Sequence, residues 1–214
     1  MGKFKEKEKQ RTLTASEAKR KIAFDELSAN LQAQGYQSKE LTVGIVFANV
    51  MAFILGAPFL IGFSIWFFIY NGGVIPTLSL LETAIFGISM FALIFVHEGI
   101  HGLCWGTFAK EHFKSISFGF AKEYLTPYCT CKDPLKKWQY IVGAMMPTIL
   151  LGILPSVISV YAGSGLLLYI GIIMIIAGGG DMLVSLKLLF HRSAGREAIY
   201  VDHPYLCGLI SFER

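Results

Sequence analysis

The sequence predicts an all-α integral membrane protein with four transmembrane helices. Three observations predict it. The 214-residue chain is 54% hydrophobic and only 16% charged, where a soluble domain carries about 25% charged residues. Its apolar residues gather in four blocks, roughly 42–70, 78–108, 140–161 and 166–190, and about 20 helical residues suffice to cross a hydrocarbon core of about 30 Å. Its nineteen Lys and Arg residues avoid residues 71–77 and the turn around Gly163, so four spans put every one of them on one side.

Residues 1–40 read as a cytoplasmic charged tail. Lys3, Lys5, Lys7 and Lys9 alternate with Glu6 and Glu8. Thr14 and Glu17 have the spacing of a capping box, and Ile22, Leu27 and Leu31 then give a short amphipathic helix. This charged stretch precedes any apolar run, so no cleavable signal peptide is visible and the first block serves as an uncleaved insertion signal. Residues 41–192 form the four-helix transmembrane domain. Its first block is overlong and contains Pro58, which predicts a tilt or a kink. Between the second and third blocks stand Lys110, Lys114, Lys122, Lys132, Lys136 and Lys137. This short cytoplasmic segment is strand-like rather than helical: residues 115–120 alternate as a strand does, and 124–131 offer a partner strand. Asp133-Pro134 then reads as the start of the next helix. Residues 193–214 read as a cytoplasmic C-terminal tail.

The positive-inside rule places both termini in the cytoplasm of a multi-pass cell-membrane protein. The net charge of +4 is accounted for by this topology, because no basic patch with base-reading residues is present, and no nucleic-acid partner is expected. Cys104, Cys129, Cys131 and Cys207 fall on or near the cytoplasmic side, where thiols stay reduced.

His97-Glu98-Gly99-Ile100-His101 is an H-E-x-x-H sequence. On a helix, residues four apart share a face, so both imidazoles can bind one metal ion. Glu98 lies about 60° from His101 and about 100° from His97 around the axis, within reach of a water at the same ion. Zn2+ suits this set and lowers the pKa of bound water to about 7. A carboxylate beside it can shuttle the proton. The setting strengthens the reading, since ionisable groups inside a bilayer are costly and serve function.

A catalytic zinc site takes three protein ligands and an open position. Asp181, after Gly178-Gly179-Gly180, is the candidate third ligand. It lies fifteen residues beyond Leu166, and His97 lies fifteen beyond Glu82, so both sit about 22 Å below the outer face. The bland alternative for Asp181 is a hydrogen bond to a neighbouring helix. Cys104 continues the face of His97 and His101 but reads better as a packing residue. His112 and His191 fall near span ends. Asp202 and His203 read as a capped turn before Pro204, or as a pair supporting the metal ligands if the tail folds back. Cys129-x-Cys131 has one residue too few between its thiols, and no partner pair, for a structural zinc site.

HEGIH, YCTCKDPLKKWQYIVGAMMP, GGGDMLVSL and VDHP, in this order across roughly residues 36–210, resemble the zincin-peptidase family of bacterial membrane proteins, formerly a domain of unknown function. More distantly, the chain is similar to the site-2 proteases, intramembrane metalloproteases with HExxH on one span and an Asp on a later one. Carried over, that resemblance makes His97, His101 and Asp181 zinc ligands and Glu98 the general base. The departures are a Gly-Gly-Asp-Met sequence in place of an Asp-Gly pattern, and no segment long enough for a PDZ-like domain.

The expected function is therefore an intramembrane zinc metalloendopeptidase acting near the cytoplasmic face of the lipid bilayer on a membrane-anchored protein or peptide. Residues 115–120 are the expected site of strand addition by an extended substrate. Two alternatives use the same ligands: a non-catalytic metal-binding sensor or scaffold, and a zinc hydrolase of a non-peptide membrane substrate. A permease would need polar groups along a complete path, which the clustering at one face does not provide.

Overall fold

The structure, a computed structural model, describes residues 12–121, 126–193 and 197–214. The alternating charges of residues 1–11, Lys122, Arg196 and the first two residues of the second expected strand lie outside these. The chain is mostly helical. Its order is α1 (Ala15–Ala33), β1 (Gln37–Thr42), α2 (Ile45–Tyr70), α3 (Leu80–Phe108), β2 (Ile116–Ala121), β3 (Thr126–Cys131), α4 (Lys137–Pro147), α5 (Leu154–Ala162), α6 (Gly165–Ala177), α7 (Gly179–Phe190), β4 (Ala198–Asp202) and β5 (Gly208–Glu213). A π-helical turn, Thr148–Ile153, joins α4 to α5.

Among the described residues, three helical segments are long and apolar enough to cross a membrane: α2, α3 and the continuous segment Lys137–Ala162. The pair α6 and α7, bent by 49°, makes a fourth if it is one span. Large apolar side chains such as Ile54, Ile61 and Ile69 on α2 and Ile88 and Phe91 on α3 stay exposed, the pattern of helices whose outer faces meet lipid. Capping boxes start α1 and α3. Thr14 with Glu17 closes α1, and Ser79 with Glu82 closes α3; a cap of this kind stabilises a helix by about 1 kcal/mol.

Pro58 sits inside an unbroken α2. The interruptions fall instead at Pro147 and at Gly178. A Cβ on Gly178 would lie 2.1 Å from Thr148 Oγ1, and one on Gly179 would lie 2.3 Å from Ala52 Cα. Glycine at both positions lets the start of α7 press against α2 and the π turn. Asp181 is thereby delivered in the first turn of α7.

The all-α expectation needs correction. The hairpin β2–β3 forms where strand-like residues were read, but a second, three-stranded antiparallel sheet has the order β1–β5–β4. It pairs Gln37 with Glu213 and Tyr200 with Ser211, so residues read as two separate tails make one sheet. Phe212, Val201 and Ile210 pack there with Leu31 and Tyr36. The helix expected at Asp133-Pro134 starts later, at Lys137. Leu135 exchanges two backbone hydrogen bonds of 2.9 Å with Tyr200, which holds the chain extended up to Lys136. Asp133 instead accepts from the Glu111 amide and the Ser115 hydroxyl at 2.9 and 2.6 Å.

Candidate metal centre

α3 presents His97 and His101 one turn apart, both buried. α7 brings Asp181 to the same point. His97 Nε2 lies 3.1 Å from Asp181 Oδ2, His101 Nε2 lies 3.4 Å from that oxygen, and the two Nε2 atoms are 3.2 Å apart. The sequence-predicted ligand residues thus converge on one triangle, and they are the one group of three or more His, Cys, Asp or Glu residues among the described residues that could hold a metal ion.

The donor set fits zinc on two counts. Ligand bonds of about 2.0–2.1 Å in a tetrahedron put donor atoms about 3.3 Å apart, and the triangle has edges of 3.1, 3.2 and 3.4 Å. The tautomer of His101 agrees. Its Nδ1 lies 2.9 Å from the Gly143 carbonyl, which can only accept, so Nδ1 carries the proton and Nε2 turns its lone pair to the triangle. The lone pairs of His101 Nε2 and Asp181 Oδ2 face one another at 3.4 Å, and a cation between them would relieve their repulsion. His97 Nδ1 is buried with no hydrogen-bond partner, so its ring is oriented through Nε2 alone.

The Gly143 carbonyl is available because of Pro147. In an α-helix the amide of residue 147 would donate to the carbonyl of residue 143, and proline has no amide hydrogen. Trp105, one turn beyond His101, stacks on its imidazole with ring centroids 4.8 Å apart and planes at 12°. Trp105 Nε1–H donates to the Tyr140 carbonyl at 3.2 Å. The Tyr140 hydroxyl donates to Asp202 Oδ1 at 2.5 Å, and the Cys131 amide donates to Asp202 Oδ2 at 2.8 Å. A chain of contacts thus runs from the C-terminal sheet to the metal-facing imidazole. Burial pushes the Asp202 carboxyl up to about 6, against the opposing pull of the two hydrogen bonds it accepts.

Glu98 lies beside the triangle, with the backbone of Cys129 close to its carboxylate. The register explains that contact. The Lys132 amide donates to the Ser115 carbonyl, so 130, 128 and 126 pair inward with β2, while 127, 129 and 131 turn their backbone groups to the outer edge. Of the two amides on that edge, Cys131 donates to Asp202 and Cys129 lies near Glu98. The edge also borders a cavity of about 720 Å³ whose wall includes His97, Glu98, His101, Asp181, Tyr140 and Asp202.

The rival sequence candidates lie elsewhere. Cys104 stays outside the triangle, and His112 is exposed in the turn before β2. His191 is buried against Glu213 Oε1 at 2.7 Å. His203 Nδ1 caps its own turn by accepting from the Tyr205 and Leu206 amides. Cys129 and Cys131 are free buried thiols; burial pushes the Cys131 thiol up to about 12 and the Cys129 thiol further. Sequence reasoning missed Gly143, Pro147, Trp105 and Tyr140. The i+4 spacing of Trp105 from His101 and the Gly-x-x-x-Pro spacing were the available signals.

No curated protein and no solved structure matches the chain. A family model does, over a stretch that includes His97, Glu98, His101 and Asp181. Residues 90–194 match the family described as "Putative zincin peptidase", the family that the motifs of the chain resemble.

Proposed function

We propose that the chain is a membrane-embedded zinc metalloendopeptidase that cleaves membrane-anchored proteins or peptides at the cytoplasmic face. The observation that carries this reading is the triangle of His97 Nε2, His101 Nε2 and Asp181 Oδ2 with the Glu98 carboxylate beside it. His97, His101 and Asp181 would hold the ion. Bound zinc supplies Lewis acidity, polarising a carbonyl and acidifying water.

Glu98 takes the proton of the attacking water as the new C–O bond forms. It returns that proton to the peptide nitrogen as the C–N bond breaks. His101 keeps its tautomer throughout, held by Gly143. β3 lines the cavity from Thr126 to Thr130, whereas β2 reaches it only at Ala121, so an extended substrate lies along β3 in this reading, and the strand addition expected at residues 115–120 moves one strand inward.

Four crossings of the bilayer are part of the proposal. β1 leads directly into α2; β4 and β5 follow α7, and β5 pairs with β1. Lys187 Nζ–H near the end of α7 donates to the Thr42 carbonyl just before α2. Both ends of the helical bundle therefore meet, which an even number of crossings satisfies. Positive loop charge puts that end, both termini and the cavity in the cytoplasm.

The test is Glu98→Gln in the purified, zinc-loaded protein, assayed on peptides reconstituted with lipid. Loss of turnover by about 10²-fold or more with zinc retained supports the general-base role. Unchanged turnover overturns it. Function in the cell that survives Glu98→Gln marks a non-catalytic metal sensor, and accumulation of a lipid rather than a peptide on deletion marks a non-peptide hydrolase.

A further inference from the structure

The cavity at the metal centre has a charge pattern that the hydrolytic reading does not use. Among the described residues its charged lining is acidic at Glu17, Glu98, Asp181 and Asp202, and cationic only at Arg20. Arg20 belongs to α1, outside the stretch that matches the family model. Its guanidinium lies over the ring of Tyr128 on β3, 4.4 Å from the centroid, a contact that holds it beside that strand. Its Nε is buried with no hydrogen-bond partner.

The acids near Arg20 do not satisfy it. Asp202 gives one oxygen to Tyr140 and the other to the Cys131 amide. Glu17 Oε2 is the capping partner of the Thr14 amide and hydroxyl. Neither carboxylate is within ion-pair or hydrogen-bond distance of Arg20. A buried guanidinium N–H left without an acceptor is costly, and a planar fork of donors suits a carboxylate best. Apart from the ion that His97, His101 and Asp181 would hold, Arg20 is the one cationic side chain among the described residues that a carboxylate entering this cavity meets.

We propose that Arg20 binds a carboxylate of the peptide in the cavity, either its C-terminal carboxylate or an Asp or Glu side chain, and so sets which bond faces Glu98. This rests on the peptidase reading, and it makes α1 a substrate-reading element. The contact to Tyr128 ties that element to β3, the strand along which the substrate lies.

The experiment measures binding, in the full-length zinc-loaded Glu98→Gln protein so that no probe is consumed. The probes are three fluorescent hexapeptides of one apolar sequence: with a free C-terminal carboxylate, with an amidated C-terminus, and amidated with one internal Glu. At least one acidic probe should bind about tenfold more tightly than the neutral one, the size of a charge-assisted hydrogen-bonded contact. Arg20→Gln should reduce that ratio to below about twofold, and Arg20→Lys should leave an intermediate ratio because it keeps charge and loses the fork. Which acidic probe gains affinity identifies the source of the carboxylate. The proposal is overturned by a ratio that survives Arg20→Gln, by equal binding of all three probes, or by no binding of any. Should Arg20→Gln fail to fold, a full tenfold ratio in Arg20→Lys overturns the bidentate contact. Turnover by the Glu98 protein without carboxylate preference removes Arg20 and keeps the peptidase; carboxylate preference without turnover does the reverse.

Discussion

His101 takes the hydrogen-bonding place that Pro147 leaves empty: its Nδ1–H donates at 2.9 Å to the Gly143 carbonyl, whose helical donor would have been the amide of residue 147. The residue that fixes the metal-facing tautomer is therefore a backbone group, and its availability is encoded four positions away on the same helix.

Gly143→Ala should break this arrangement. A Cβ there would lie 2.1 Å from Cδ1 and Nε1 of Trp105, far inside contact distance, and Trp105 cannot yield without leaving the imidazole of His101. Loss of such support costs about 10–100-fold in metal affinity. Zinc titration against a competing chelator in detergent should show that loss. Pro147→Ala adds an amide that competes for the carbonyl without a clash, so its loss should be smaller, below about tenfold. Native affinity in Gly143→Ala would sink the idea that this carbonyl orients His101.

How much of this was legible in the sequence divides along contact range. The helical segments were legible because 20-residue apolar runs are local, and His97, Glu98 and His101 because helical periodicity is local. Asp181 was reachable from its depth and its glycines. The β1–β5–β4 sheet was not, since the polar run Gln37–Thr42 becomes a strand only against a partner from the other end of the chain. Asp202 and His203 read in the sequence either as a capped turn or as a pair supporting the metal ligands if the tail folds back. The structure divides the two: His203 caps the turn, and Asp202 reaches across to Tyr140 and Cys131. No spacing rule chooses between them, because the partners of Asp202 lie far away in sequence.

The triangle predicts about one zinc per chain in detergent-purified protein reconstituted with zinc. His97→Ala, His101→Ala and Asp181→Ala should each lose it with helicity intact, because two remaining donors leave the ion without the three protein ligands of a catalytic site. Asp181→Asn should weaken binding less than Asp181→Ala, since an amide oxygen still ligates. Metal content by mass spectrometry with circular dichroism on the same samples decides it. Zinc retained at full stoichiometry in Asp181→Ala would remove Asp181 from the ligand set.

Asp202 carries a pH signature of the opposite sign to a salt-bridged acid. Burial raises its carboxyl to about 6, above the unfolded value of about 3.9. Between these values the folded state binds more protons than the unfolded one, so the contribution of Asp202 to stability falls as pH rises through about 4 to 6 and is level above. Asp202→Asn lacks this dependence. The difference in Tm between the native protein and Asp202→Asn should therefore decline across that window and then stay flat. A difference that grows with pH would mean that the ionised carboxylate is the favoured form.

One buried acid helps dock the C-terminal sheet on the helices. Glu213 Oε1 lies 2.7 Å from His191 Nε2 and accepts from the Ser211 hydroxyl at 2.8 Å. The His191 carbonyl in turn accepts from Lys137 Nζ at 2.7 Å, so the end of α7, the start of α4 and β5 meet at one point. Glu213→Ala leaves a buried imidazole N–H and a buried hydroxyl without their acceptor, which costs about 1–3 kcal/mol. Glu213→Gln keeps an oxygen in the same place and should recover most of that loss. Thermal unfolding in detergent should rank Ala lowest, with Gln close to the native protein, and limited proteolysis should release β5 first in Glu213→Ala. Equal destabilisation by Ala and Gln would show that the negative charge, rather than the accepted hydrogen bonds, holds the sheet in place.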